Sequence, residues 1–280
     1  MFQKIALAIA FSPRMEALMC EIKRLSEIFN TEIIFIHIGI ESEKEQVKLD
    51  GLLLASGFNQ SNSRVIWEQG DPTKKIIEIC KRENVDLLVT GALKKESFLR
   101  MHFSSVARKI MRKAEVSLLI LLEPSMQPKS FKKIVINGTD HPRTAEIIEK
   151  GLQLAKIEKA QNVHIINEIQ MMGLRMSVAG EDTADTVEST RRSLVNDEVV
   201  KIEDILKNID KGNLKINIKI VSGKPGYEMA RFAEKVEADL LVLRAPDHKL
   251  NLLDRFFPHD LEYILNDLPS NLLIIQPQSS

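Results

Sequence analysis

The residues best suited to chemistry follow an apolar run in the first half of the chain. The run Asp86–Thr90 is rich in branched residues, which predicts a buried parallel strand. It ends at Gly91, which permits a sharp exit because glycine has no Cβ, and Lys94 follows in a basic loop. Ser104 and Ser105 then open an amphipathic helix. Together these residues predict an anion cradle at the carboxyl end of a strand.

The same residues also fit an ordinary connection between a strand and a helix. Serine caps many helix N-termini by accepting a backbone hydrogen bond, so a capping serine does not by itself indicate a ligand. On the residues alone, the ordinary connection is the favoured interpretation, and the anion cradle remains the alternative.

Apolar strands and amphipathic helices alternate around this stretch. The first half contains five predicted strands, near residues 4–10, 31–38, 64–68, 86–90 and 116–122. Helices are predicted between them, for example after Ser12-Pro13 and after the Gly-Asp-Pro turn at 70–72. This alternation predicts βαβ units and therefore an α/β fold with a parallel sheet.

A polar stretch with two prolines, residues 124–130, interrupts this alternation and predicts a linker. It divides the chain into two predicted domains, residues 1–123 and residues 131–277. Each is long enough to bury a core of its own.

The pattern of the first domain starts again after the linker. Lys133 follows Lys4 by 129 positions, whereas the Asp-Leu-Leu-Val run at Asp239 follows that at Asp86 by 153. The difference of 24 predicts extra residues in the second domain, around 171–200. Repeated order and spacing predict two copies of one fold, the second with an insertion.

Composition excludes several classes of function. Lys+Arg and Asp+Glu are equal at 39 each, so no overall basic field favours nucleic acid. No apolar run approaches the roughly 20 residues of a membrane-spanning helix. The two cysteines, Cys20 and Cys80, lack metal-ligand spacing, and we expect a reduced cytoplasmic protein without a metal. No nucleophile elbow occurs, so no catalytic residue is predicted.

Each half resembles the universal stress protein domain. The features that carry the resemblance are the Ser-Pro helix start, the Gly-x-Pro turn after the third strand and the Asp-Leu-Leu-Val fourth strand, in that order. The resemblance covers nearly the whole chain and implies two Rossmann-like, five-stranded parallel-sheet domains in tandem. The family fold is of the adenine-nucleotide-binding type, and chains of about this length with two such domains are a known class within it.

The resemblance also implies a phosphate site. Nucleotide-binding members carry Gly-x2-Gly-x9-Gly-Ser/Thr after the fourth strand, which falls here on Gly91, Lys94, Ser104 and Ser105. The spacing is kept, but two of the three glycines are replaced. Glycines let backbone N–H groups approach phosphate, so Lys94 either fills that space or supplies its own charge to an anion.

Two further positions of the family's nucleotide site fall on Ala10 and Ile38. Members carry an acidic residue at the end of the first strand that contacts ribose, and its position here is Ala10. The apolar position after the histidine of the second strand, which faces adenine, is Ile38. We therefore expect a site that keeps its adenine wall and loses its ribose contact.

The second half departs further from the family pattern. Arg244, Asp247 and the stretch 257–259 stand where the glycines would be, and Thr139 or Asp140 stands at the acidic position. No phosphate cradle is predicted there. If either half binds ATP or AMP, we expect it to be the first.

The resemblance favours a non-catalytic module of a stress response or of signalling that binds a small ligand or a protein partner. Two alternatives stay open: an adenine-nucleotide-binding, weakly hydrolytic first domain, and an interaction scaffold that works through residues 171–200. Family members often pair through their last strands. We therefore expect two five-stranded parallel sheets that form an internal pseudo-dimer, with a homodimer also open and no nucleic-acid or membrane partner.

Overall fold

The computed structural model describes residues 1–59, 61–94, 101–102, 109–110, 115–170, 184–224, 226–245, 264 and 268–277. The first half is built of β1 (Ile5–Ile9), α1 (Met15–Phe29), β2 (Ile33–Ile38), α2 (Glu43–Ala55), β3 (Ser63–Glu68), α3 (Pro72–Arg82), β4 (Leu87–Gly91), the short strands β5 (Leu93–Lys94) and β6 (Met101–His102), and β7 (Ser117–Leu121). The second half is built of β8 (Lys133–Asn137), α4 (Thr144–Ile157), β9 (Asn162–Gln170), α5 (Ala184–Lys207), β10 (Ile216–Gly223), α6 (Tyr227–Lys235), β11 (Leu240–Arg244) and β12 (Asn271–Ile275).

Ten strands form one sheet, in the order β10-β9-β8-β11-β12-β7-β4-β1-β2-β3. In the part of this sheet that each half contributes, all pairings are parallel, and the first strand lies between the second and the fourth. This confirms the predicted α/β fold of two five-stranded parallel units in tandem. Apolar residues cover both faces of the sheet, which explains why β1 is a continuous apolar run.

The expectation of two sheets needs correction, because the halves share one sheet. Strands β7 and β12 pair antiparallel, with Leu119 opposite Leu273. Two similar units that meet through the same strand under a rough two-fold relation must run in opposite directions there. A wholly parallel ten-stranded sheet is therefore not what forms.

Two side chains accept hydrogen bonds across this junction in matching ways. The Ser117 hydroxyl accepts a hydrogen bond from the Gln276 N–H at 3.1 Å, and the Asn271 side-chain oxygen accepts one from the Leu122 N–H at 2.8 Å. Each residue opens one strand of the pair and satisfies the backbone just past the end of the other. Main-chain groups that the ladder would leave unpaired are thus satisfied.

A buried charge cluster also joins the halves. Arg24 of α1 donates through Nη1 to both carboxylate oxygens of Glu158 at 2.8 Å, and the Glu158 side chain is only 1% exposed. The Glu21 carboxylate lies 3.7 Å from Arg24 Nε and accepts a hydrogen bond from the linker N–H of Ser125 at 3.3 Å. Burial raises the pKa of Glu21. Two carboxylates thus share one guanidinium in a poorly solvated place.

The start of α1 differs from the expected Ser-Pro cap. The helix begins at Met15, with Arg14 in the N-cap position and no side-chain cap, while Ser12 donates its N–H to the Ala10 carbonyl at 2.7 Å. Helix α3 does begin as predicted, with Asp71 accepting from the Lys74 N–H and Pro72 in the first turn. The later start of α1 leaves Ser12 and Arg14 beside the sheet edge.

The predicted insertion around 171–200 lies partly outside the described residues, which resume at Ala184 with helix α5. That helix has 24 residues, whereas its counterpart α2 has 13. The domain limits at 123 and 131 and the extent of the insertion stay predictions.

Candidate functional site

A cleft of about 340 Å³ opens at the carboxyl ends of β1, β2 and β4. Strand order changes direction beside β1, and ligands of open α/β sheets bind at such switch points. Most of its wall is aliphatic: Ala8, Ala10, Leu18, Ile36, Ile38 and Ile76. A cleft of this size and lining suits a small ligand with a largely apolar body.

Three of the six residues predicted from the sequence line this cleft, namely Ala10, Ile38 and Gly91. They come from the ends of three different strands, so the parallel sheet gathers them. Lys94 lies in the short strand β5, which pairs antiparallel with β6. For this strand the structure describes the backbone. Ser104 and Ser105 lie outside the described residues, and the anion cradle stays a prediction.

Gly91 has a different role from the sharp exit expected of it. It is the last residue of β4, pairs with Leu121 and lacks a positive φ. A Cβ added at Gly91 would lie 3.2 Å from both methyl carbons of Leu18. Glycine here lets α1 pack closely against the end of β4, and that packing sets one wall of the cleft.

The polar part of the lining is small. Ala10 is exposed and offers no hydrogen bond from its side chain, while Ser12 and Thr90 contribute hydroxyl groups. Among the lining residues that the structure describes, Arg14 alone carries a formal charge at neutral pH. Its Nη1 donates to the Ala92 carbonyl at 3.2 Å, which places the guanidinium across the cleft from α1 to the chain just after β4.

An aromatic cluster that the sequence reasoning missed supports the Ile38 wall. The buried His37 ring packs 4.4 Å from Trp67 and 5.1 Å from Phe11, measured between ring centroids. Trp67 donates its indole N–H to the Gly39 carbonyl at 3.0 Å. A Cβ on Gly39 would lie 2.6 Å from His37 Nε2, so only glycine fits there without a shift. The cluster thereby fixes the backbone just after Ile38.

The contact between His37 and Trp67 follows from the register of two paired strands. The two residues are register partners in β2 and β3. Trp67 is the one tryptophan of the chain, so it places a natural fluorophore beside the cleft.

The equivalent place in the second half is built differently. By strand register, Glu168 takes the place of Ile38, Thr139 that of Ala10, and Arg244 that of Gly91. The Glu168 carboxylate accepts hydrogen bonds from the N–H groups of Gly226 and Met229 at 3.0–3.1 Å, at the start of α6. A charged, already bonded side chain thus stands where the first half has an apolar wall.

Over the described ranges, no group of three or more His, Cys, Asp or Glu side chains is arranged to hold a metal ion. The same part of the chain contains no helix that is both long and apolar enough to cross a membrane.

Comparison with known proteins shows which family and which solved structures this chain resembles. Residues 39–121 match the model of the universal stress protein family. A universal stress protein of Methanocaldococcus jannaschii is 26% identical over 160 residues, which cover 54% of this chain and 98% of that protein.

Two solved structures share the fold over nearly the whole chain. One is a protein of Pseudomonas aeruginosa UCBPP-PA14 that is provisionally assigned as a universal stress protein. Its TM-score is 0.71 at 16% identity, and the match covers 98% of this chain and 93% of that chain. A universal stress protein of Archaeoglobus fulgidus DSM 4304 has a TM-score of 0.65 at 15% identity and covers 98% of both chains. With the cleft at the switch point, these findings lead to one conclusion: residues 39–121 match the universal stress protein family, and nearly the whole chain shares the fold of the two solved structures.

Proposed function

We propose that this protein is a non-catalytic module of a stress response or of signalling, and that it binds a small ligand in the cleft of its first half. The observation that carries the proposal is the convergence of Ala10, Ile38 and Gly91 on one cleft at the switch point. Its volume of about 340 Å³ lies at the small end of the range for ligand sites.

The proposal also assigns the two halves different tasks. Residues 1–123 are the binding domain, and residues 131–277 are a second copy that completes an internal pseudo-dimer through β7 and β12. Two observations support this view: the mirrored strand order, and the matching hydrogen bonds that Ser117 and Asn271 accept across the junction. A homodimer of the whole chain and a cytoplasmic location stay predictions.

A second candidate ligand is an adenine nucleotide, ATP or AMP, bound in the first half. The place of Ile38 and Gly91 on one cleft favours it, because the family resemblance assigns these positions to adenine and phosphate. Ala10 argues for weak binding, since the carboxylate that would hold ribose is absent at that position. The hydrolytic version has less support, because the His37 ring is packed between Phe11 and Trp67. The scaffold alternative at 171–200 stays a prediction.

The test is mass spectrometry of small molecules released from the purified full chain. A matched variant is Ile38→Glu, which gives the first half the residue of the second. We expect a small molecule in about equimolar amount from the wild type and its loss from Ile38→Glu. Val47→Glu, on the exposed face of α2, is the control and keeps the ligand. Equal recovery from all three proteins would show that the ligand lies elsewhere.

A further inference from the structure

The charge at the mouth of the first-half cleft indicates which class of ligand it takes. Aliphatic side chains form most of the wall, and no carboxylate is among the lining residues that the structure describes. Arg14 supplies the formal charge there. A cleft with an aliphatic wall and one positive charge is complementary to an apolar molecule that carries a negative group.

Arg14 is held in a position suited to that role. It occupies the N-cap position of α1 without capping the helix, so its side chain is not used in the helix start. A guanidinium has five N–H donors, and the described bond to the Ala92 carbonyl uses one of them. That bond fixes the group over the cleft and leaves it able to donate to an anion in fork geometry.

We propose that Arg14 recognises an anionic group on the ligand, and that the cleft takes a small amphiphile with one carboxylate, sulfonate or phosphate on an apolar body. The inference rests on the proposed function, because it requires a ligand in this cleft, and it adds the chemical class. Recognition of a sugar hydroxyl is not needed, which agrees with alanine at position 10.

The second half provides a matched comparison. Arg143 holds the same N-cap position at the start of α4, 129 positions after Arg14. The nearby wall carries the Glu168 carboxylate in place of Ile38, and a carboxylate repels a ligand anion. Arg143→Gln is therefore the control for Arg14→Gln.

The experiment uses the full chain and two fluorescent probes that share one ring system. The probes are 8-anilinonaphthalene-1-sulfonate and the uncharged N-phenyl-1-naphthylamine, which differ by the sulfonate. Binding is followed by energy transfer from Trp67, whose ring packs against His37 in the cleft wall. The signal that Ile38→Glu removes defines binding in the cleft.

We expect the sulfonate probe to bind in the cleft at least tenfold more tightly than the neutral probe. Arg14→Gln should weaken sulfonate binding about tenfold or more and leave the neutral probe unchanged, because one charge-assisted contact is lost. Arg14→Lys should restore part of the affinity, and Arg143→Gln should match the wild type. Far-UV circular dichroism checks that each variant is folded.

The possible failures are distinguishable. If both probes bind in the cleft equally well and Arg14→Gln changes neither, the inference about Arg14 is overturned while the binding cleft stands. If neither probe gives a signal that Ile38→Glu removes, the cleft itself is not a ligand site, and the proposed function fails together with the inference.

Discussion

The two halves share a fold but differ at the carboxyl edge of the sheet, the edge at which open α/β sheets bind ligands. Ile38, Ala10 and Gly91 form an apolar, open edge in the first half. Glu168, Thr139 and Arg244 replace them in the second, where the Glu168 carboxylate is bonded to the start of α6. Buried strand residues keep both copies folded, whereas strand ends can change without cost to the core. A retained fold therefore does not imply a retained site.

The ionic cluster marks a second difference, because the position that corresponds to Arg24 in the second half is Gln153, which carries no charge. We expect Arg24→Ala to lower the free energy of unfolding by about 3–5 kcal/mol, because it leaves Glu158 and Glu21 buried without their cation. The measurement is urea denaturation of the full chain. Gln153→Ala changes the position that corresponds to Arg24 in the second half and should cost less than about 1 kcal/mol. Similar losses for both variants would contradict the asymmetry.

Nucleotide affinity tests the difference between the halves directly. We expect the full chain to bind ATP no more tightly than the high micromolar range. Ala10→Asp combined with Lys94→Gly should tighten binding roughly ten- to hundredfold, because a charged hydrogen bond contributes about 1.5–3 kcal/mol. Isothermal titration calorimetry measures both, and Thr139→Asp, at the matching place in the second half, should change nothing. Low micromolar binding by the wild type would show that the degenerate cradle still works.

The starts of α3 and α6 show a smaller difference of the same kind. Asp71 caps α3 from the adjacent position, whereas α6 receives the carboxylate of Glu168 from strand β9. We expect Glu168→Ile to lower the free energy of unfolding by about 1–2 kcal/mol, because the Gly226 and Met229 N–H groups lose their acceptor. Asp71→Ala should cost a similar amount in denaturant unfolding. A stabilised Glu168→Ile protein would show that the cost of placing a charge in a half-buried position outweighs the benefit of the cap.

The smallest expected effect concerns pH. Burial raises the pKa of Glu21 above 4.5, so the folded protein holds this proton more tightly than the unfolded chain. The stabilisation is complete below pH 4.5 and is lost as pH rises through the raised pKa. The stability of Glu21→Gln relative to the wild type should therefore increase over that window, as measured by denaturation at a series of pH values. A stability difference between Glu21→Gln and the wild type that stays constant or falls as pH rises would contradict this prediction.

Much of the fold could be predicted because it rests on local patterns. The five long strands of the first half were predicted within one or two residues, since apolar runs and turn residues mark them. The pairing of β7 with β12 could be expected only from the family resemblance, because no local signal shows how two units meet. That the pairing merges two sheets into one depends on docking between distant parts of the chain.

The site was predicted in part, for a related reason. Ala10, Ile38 and Gly91 follow from where strands end, and parallel topology then brings those ends together. Arg14 was not predicted because the sequence placed a helix cap at Ser12, and the observed start of α1 lies later. The contact between His37 and Trp67 depends on the register between two strands, which the sequence pattern does not specify.

The junction strand also has a consequence for how the protein is made. One edge of β7 is covered only by β12, which follows it by about 150 residues in the chain. At roughly 5–20 residues per second, a ribosome needs on the order of 10–30 s to produce that partner. During this interval the nascent first half presents a bare apolar edge, Ser-Leu-Leu-Ile-Leu, which can pair with the same segment of a neighbouring nascent chain on one messenger. In the finished protein, β12 covers this edge of β7. During synthesis the edge is uncovered, and we expect fast folding or a chaperone to be needed to keep it from pairing with another chain.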